Sequence, residues 1–230
     1  MLKLAPKLEE LSLANWGVRD SQGEIKALDL SEFSSLHSVY FQTMDMLFPK
    51  LPLSLEELSL VKCWLAPSLT EPEPGEIKLP TLKFLQLVSN DGSFLQCIGP
   101  LLLESKGGLE FLEVRGFGDD AFVYISTKSD EQWYRNLKEL HVAYASIDDL
   151  FIDLLVKQTG NLEVVDFSHT RVTSLGIKQL VLSQPKLRLM NLLSCYEVNK
   201  DVVEWAEKRG IRGRLYFPDN KKQKYMKLRE

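Results

Sequence analysis

The chain has 230 residues, 44% hydrophobic and 26% charged, with 13 Gly and 10 Pro. That composition excludes a disordered or collagen-like chain, and no apolar run approaches the roughly 18 residues of a membrane-crossing helix. The net charge of −4 hides an asymmetry: residues 208–230 carry nine Lys or Arg against two acids, which leaves −11 on the rest.

The start, Met1-Leu2-Lys3-Leu4-Ala5-Pro6-Lys7, lacks the apolar block and cleavage site of a signal peptide. Three cysteines cannot all pair, which favours a reducing, intracellular compartment, cytoplasmic or nuclear. From there the pattern L-x-x-L-x-L recurs. It stands as Leu8-Leu11-Leu13, Leu55-Leu58-Leu60 and Leu82-Leu85-Leu87, with softer copies beginning at Leu36, Leu109, Leu137, Leu162 and Leu187. A ninth, degenerate copy places Arg212 first and ends at Leu215 and Phe217. The intervals between first positions are 28, 19, 27, 27, 28, 25, 25 and 25 residues.

The fourth and sixth positions lie two residues apart, so each copy predicts a short strand with both side chains on one face. A return segment then has to cover the core. Leu175, Ile177, Leu180 and Val181 are spaced for one apolar helical stripe, with Thr173 or Ser174 as cap and Pro185 as stop. The 19-residue interval after Leu36 leaves little room for a helix. Residues 66–80 hold Pro67, Pro72, Pro74 and Pro80, and residues 116–136 hold Asp119-Asp120; both read as insertions in the rhythm. Residues 201–209 predict a terminal helix, 211–217 a last strand, and 218–230 a basic tail. One unit cannot bury its own apolar face, so stacked units predict a curved α/β solenoid over 1–217, with about nine parallel inner strands and outer helices.

This pattern resembles the leucine-rich repeat, over most of the chain. The resemblance implies Asn or Cys at the ninth position of each copy, met here by Cys63, Asn90, Cys195 and Asn220. Elsewhere that place is Trp16, Met44, Phe117, Ala145 and Thr170, which predicts irregular turns. The stretch from Thr170 to Leu187, with Gln184-Pro185-Lys186-Leu187 at its end, resembles the cysteine-containing subclass of F-box proteins, apart from the missing Cys. Ala5-Pro6-Lys7-Leu8 resembles the same junction, as if the chain began inside a repeat; no three-helix F-box segment is visible.

The resemblance also implies that third, fifth and seventh positions face the concave surface. The expected partner-binding residues are Val61, Phe84, Val88 and Phe111 as apolar anchors, with Gln86, Glu113, Arg115, Glu139, His141 and Asp166 as polar neighbours. His141 between Glu113 and Asp166 invites an acid–base reading. No strained nucleophile turn or phosphate-cradling loop accompanies it, so no enzyme is expected. Cys63, Cys97 and Cys195 form no ligand spacing, so neither metal nor cofactor is expected. The expected function is binding a protein partner; the F-box resemblance implies substrate recognition for a ubiquitin ligase, with a cullin–adaptor complex as partner if an F-box lies upstream. The alternative is a free-standing scaffold or regulator. Nucleic-acid or acidic-partner binding by the basic end is a third, weaker reading, and no membrane partner is expected.

Overall fold

The computed structural model describes residues 7–18, 22–65, 79–88, 102, 105, 107–116 and 134–214. The molecule is α/β, with a nine-strand parallel sheet among the described residues, and it divides into two compact units, Met1–Phe111 and Leu112–Glu230. Cys97, Asn90, Phe117 and the basic tail lie outside the described residues, as do both expected insertions apart from their ends.

Among the described residues, seven strands lie wholly in the first unit. They are β1 (Glu10–Ala14), β2 (Ala27–Asp29), β3 (Ser38–Gln42), β4 (Asp45–Lys50), β5 (Glu57–Val61), β6 (Trp64–Leu65) and β7 (Phe84–Val88). β1, β3, β5 and β7 are parallel neighbours in the register of the sequence repeat: Leu11 faces Val39, Val39 faces Leu58, and Leu58 faces Leu85. Val39, Phe41, Leu58, Leu60, Leu85 and Leu87 are no more than 1% exposed. Burying each stabilises the fold by about 1.5–3 kcal/mol.

The return segments correct the expectation of helices here. β2, β4 and β6 form a second, three-stranded sheet. The 19-residue interval is too short for a helix, Pro49 and Pro52 interrupt one, and Met44 and Met46 alternate inward as a strand requires.

Phe111 opens β8 (Phe111–Arg115), whose remaining residues begin the second unit. Then follow β9 (Glu139–His141), α1 (Asp149–Gln158), β10 (Val164–Asp166), α2 (Ser174–Ser183), β11 (Leu189–Asn191), α3 (Lys200–Glu207) and β12 (Arg212–Arg214). Strand and helix alternate here from β9 onward, with 25 residues from β9 to β10 and from β10 to β11. Asp148 caps α1, accepting from the Leu150 N–H at 2.9 Å. Thr173 caps α2, accepting from the Leu175 N–H at 3.0 Å. Ile177, Leu180 and Val181 are buried as expected, but Leu175 is 72% exposed. Gly176 takes the inward place instead. A Cβ there would overlap the carboxylate of Asp149, which accepts from the N–H groups of Thr173 and Gly176 and from the Thr173 hydroxyl. One helix thus caps the next.

The ninth copy sits two residues earlier than the sequence suggests. Arg212 pairs with Leu189, Gly213 with Met190 and Arg214 with Asn191, so Gly213 holds the fourth position and Arg214, not Tyr216, the fifth. Asn220 is therefore not a ninth position. Gly213 is needed because α3 packs against this strand: a Cβ would stand 2.7 Å from Val203 Cγ1.

The turns after the strands are regular, contrary to expectation. Asn15, Thr43, Lys62, Tyr144, His169 and Ser194, each the eighth residue of its copy, have φ between 51° and 60°, and Gly116 has φ 77°. Six of these seven are not glycine, so the left-handed region is imposed by the repeat. It aims the Asn15, Thr43 and Lys62 N–H groups at the carbonyls of Gln42, Val61 and Val88, at 2.9, 2.9 and 2.6 Å. Tyr144 and His169 bond Ser168 and Leu193 in the same way at 3.0 and 2.7 Å. The following residue turns inward in five of these copies, where Met44, Cys63, Ala145, Thr170 and Cys195 are buried, but Trp16 after Asn15 is 56% exposed. Three of the buried ones donate, Thr170 through its hydroxyl to the Phe167 carbonyl at 2.7 Å. Cys195 Sγ donates to the Phe167 carbonyl at 2.9 Å and Cys63 Sγ to that of Phe41 at 3.4 Å.

Candidate functional site

The first unit carries the apolar part of the expected site. On the strand face opposite the leucine core, Phe84 and Phe111 occupy third positions, and their rings stack with centroids 4.2 Å apart and 8° between planes. Both remain half-buried rather than sealed, as do Val61, Gln86 and Val88; Val61 and Val88 are register partners on β5 and β7. The same face turns polar towards β3: Ser38 donates to Glu57 at 3.0 Å, and the Tyr40 hydroxyl donates to Gln42 at 3.0 Å. Among the described third, fifth and seventh positions of this unit there is no cation.

The second unit carries the charged part. Glu113 and Asp166 are buried, and Glu139 is the most open carboxylate of the three. Arg115 Nε lies 2.6 Å from Glu113 Oε1, and its Nη2 reaches Asp166 Oδ2 at 3.7 Å. His141 Nε2 lies 3.6 Å from Glu139 Oε2, and Nδ1 lies 4.0 Å from Asp166 Oδ2. The expected set of Glu113, His141 and Asp166 is thus rearranged, for Glu113 pairs with Arg115 and Glu139 stands beside the imidazole. Those His–carboxylate separations exceed hydrogen-bonding distance. Asp166 is further committed through Oδ1, which accepts from the Ser168 N–H at 2.9 Å and hydroxyl at 2.6 Å. Three carboxylates against one Arg give the cluster an excess of negative charge.

Two features escape the sequence reading. Ser168, one outward position beyond Asp166 on the same strand end, clamps its carboxylate, a bond that the outward columns alone did not predict. Tyr144 and His169 stack with centroids 4.1 Å apart at 12°. They hold the eighth position of adjacent copies, and reading that column as left-handed would have brought them together.

Burial raises the thiols of Cys63 and Cys195 above the usual cysteine range, as core residues without a reactive thiolate require. Among the described residues no group of three His, Cys, Asp or Glu could hold a metal ion. No helix among them is long and apolar enough to cross a membrane. No protein-family model matches the chain, and no curated protein does.

Proposed function

We propose that the chain is a leucine-rich-repeat solenoid that recognises a protein partner on the outward strand face, in the manner of the substrate-reading part of an F-box ubiquitin ligase. The observation that carries the reading is the Phe84–Phe111 stack, half-buried beside Val61 and Val88 on the strand face opposite the leucine core. Stacked aromatics held rigid by neighbouring strands lose little side-chain entropy on binding, and large aromatic anchors dominate interface energetics. In the second unit Glu113, Arg115, Glu139, His141 and Asp166 supply charge selectivity, which favours basic groups on the partner. The reading is of binding, and it assigns no catalytic step to His141.

The test is affinity purification of the chain tagged at the C-terminus of its own gene, beside a Phe84→Ala, Phe111→Ala double variant. Loss of partner capture with a thermal midpoint within a few degrees of the parent is the expected result. A large fall in the midpoint would instead show that the phenylalanines are core. Cullin and its adaptor among the captured proteins support the ligase reading; a partner captured without them identifies a scaffold.

A further inference from the structure

In the second unit the outward columns change sign across the strands. Along β9, β10, β11 and β12 the third positions are register partners in the order Glu139, Val164, Leu189, Arg212, and the fifth in the order His141, Asp166, Asn191, Arg214. One side of this face holds Glu139 and Asp166, with Glu113 close by and Arg115 as their cation. The other side holds two arginines.

Arg212 and Arg214 lie two residues apart on β12, so their side chains leave the same face of the strand and repel each other. Both are exposed, and their register partners Leu189 and Asn191 carry no charge. Neither arginine is ion-paired with a described residue. Glu163, the residue before β10, is taken by Arg188 at 3.2 Å. An acidic group placed over β12 would therefore relieve the repulsion of the two guanidinium groups, while a cation suits the opposite side.

We infer that this face takes a bipolar peptide segment running across the strands. Its Lys or Arg meets Glu139, in the negative field of Glu113 and Asp166, and its Asp or Glu meets Arg212 and Arg214. The inference rests on the reading of the outward strand face as a partner-binding surface, and adds the partner's polarity. β9 and β12 are three strand spacings apart, about 14 Å. The opposite charges then stand about four residues apart in an extended segment, or about nine in a helix. Leu189, half-buried between the two sides, faces an apolar residue of the segment.

The probe is a library of random twelve-residue peptides displayed on phage and selected on the immobilised full chain. The most enriched peptide is synthesised and its affinity read by fluorescence anisotropy, with folding of every variant checked by circular dichroism. Enriched peptides are expected to carry the two charges at one of these spacings, and to bind more weakly as ionic strength rises. Arg212→Glu with Arg214→Glu weakens binding about tenfold or more, and changing the peptide's acid to Lys recovers most of the loss. Glu139→Lys acts in the same way, with recovery when the peptide's cation is changed to Glu. Enriched peptides without this polarity, or recovery by neither exchange, overturn the inference, as does a native chain that enriches no peptide. Peptides lost in the Phe84→Ala, Phe111→Ala variant but indifferent to both reversals overturn it while supporting the reading on which it rests.

Discussion

At the scale of single residues the repeat overrides local preference. Threonine is β-branched and poorly suited to the left-handed region, yet Thr43 has φ 51° because its N–H must reach the Val61 carbonyl at 2.9 Å. A non-glycine residue there costs roughly 1–2 kcal/mol, part of which glycine would return as unfolded-chain entropy. Thr43→Gly is accordingly expected to stabilise the chain by about 0.5–1 kcal/mol, read as a higher urea midpoint with an unchanged slope. A fall in the midpoint would show that the threonine side chain contributes more than its backbone costs. Gln184 shows the same logic in a polar residue. It stands where the resembling subclass has Cys, is 1% exposed, and ties the copy before it together. Its Nε2 donates to the Thr159 carbonyl and hydroxyl at 3.2 and 3.1 Å, and its Oε1 accepts from the Leu162 N–H at 3.2 Å.

At the scale of elements the period-two leucines were legible, because alternation fixes which face of a strand is apolar without any knowledge of its neighbours. The helical stripe was legible only in part. Leu175 fits a 3.6-residue period as well as Ile177 does, and the difference arises from the adjacent helix, whose Asp149 occupies the space above Gly176. Ile177→Ala is therefore expected to cost about 2–5 kcal/mol, as for a fully buried aliphatic side chain. Leu175→Ala, at 72% exposure, should stay within about 0.5 kcal/mol of the parent. Equal losses in a denaturant series would mean that the outer face of α2 is covered in solution. The terminal strand was misplaced by two residues for a related reason. Gly213 carries no apolar signal, and its inward position follows from the close packing of Val203.

At the scale of the whole molecule, stability rests on the apolar columns and is tuned by carboxylates at the surface. The Ser31 hydroxyl and N–H, bonded to Asp29 at 2.7 and 3.1 Å, hold its carboxyl below its ordinary value of 3.8. Lys83 lowers Glu56, and Lys200 lowers Glu204, from an ordinary 4.5. A carboxyl depressed by folding stabilises the native state above its unfolded value, and that contribution is lost as pH falls through the folded one. The urea midpoint is thus expected to hold from neutral pH to about 5 and to decline below 4.5, with salt removing part of the effect of the exposed pairs. A midpoint that rises on acidification would contradict these assignments.

The parallel strands and their register were legible in the sequence for every described strand of the nine-strand sheet except the last, β12, because a recurring L-x-x-L-x-L pattern has one consistent way to bury its leucines. The packing of neighbouring copies decided the rest. It laid the first unit's return strands together as a second sheet, set a left-handed eighth residue wherever that residue is described, and placed Glu113 against Arg115. The second sheet and the left-handed turns depend on contacts between neighbouring copies, which periodicity alone does not encode.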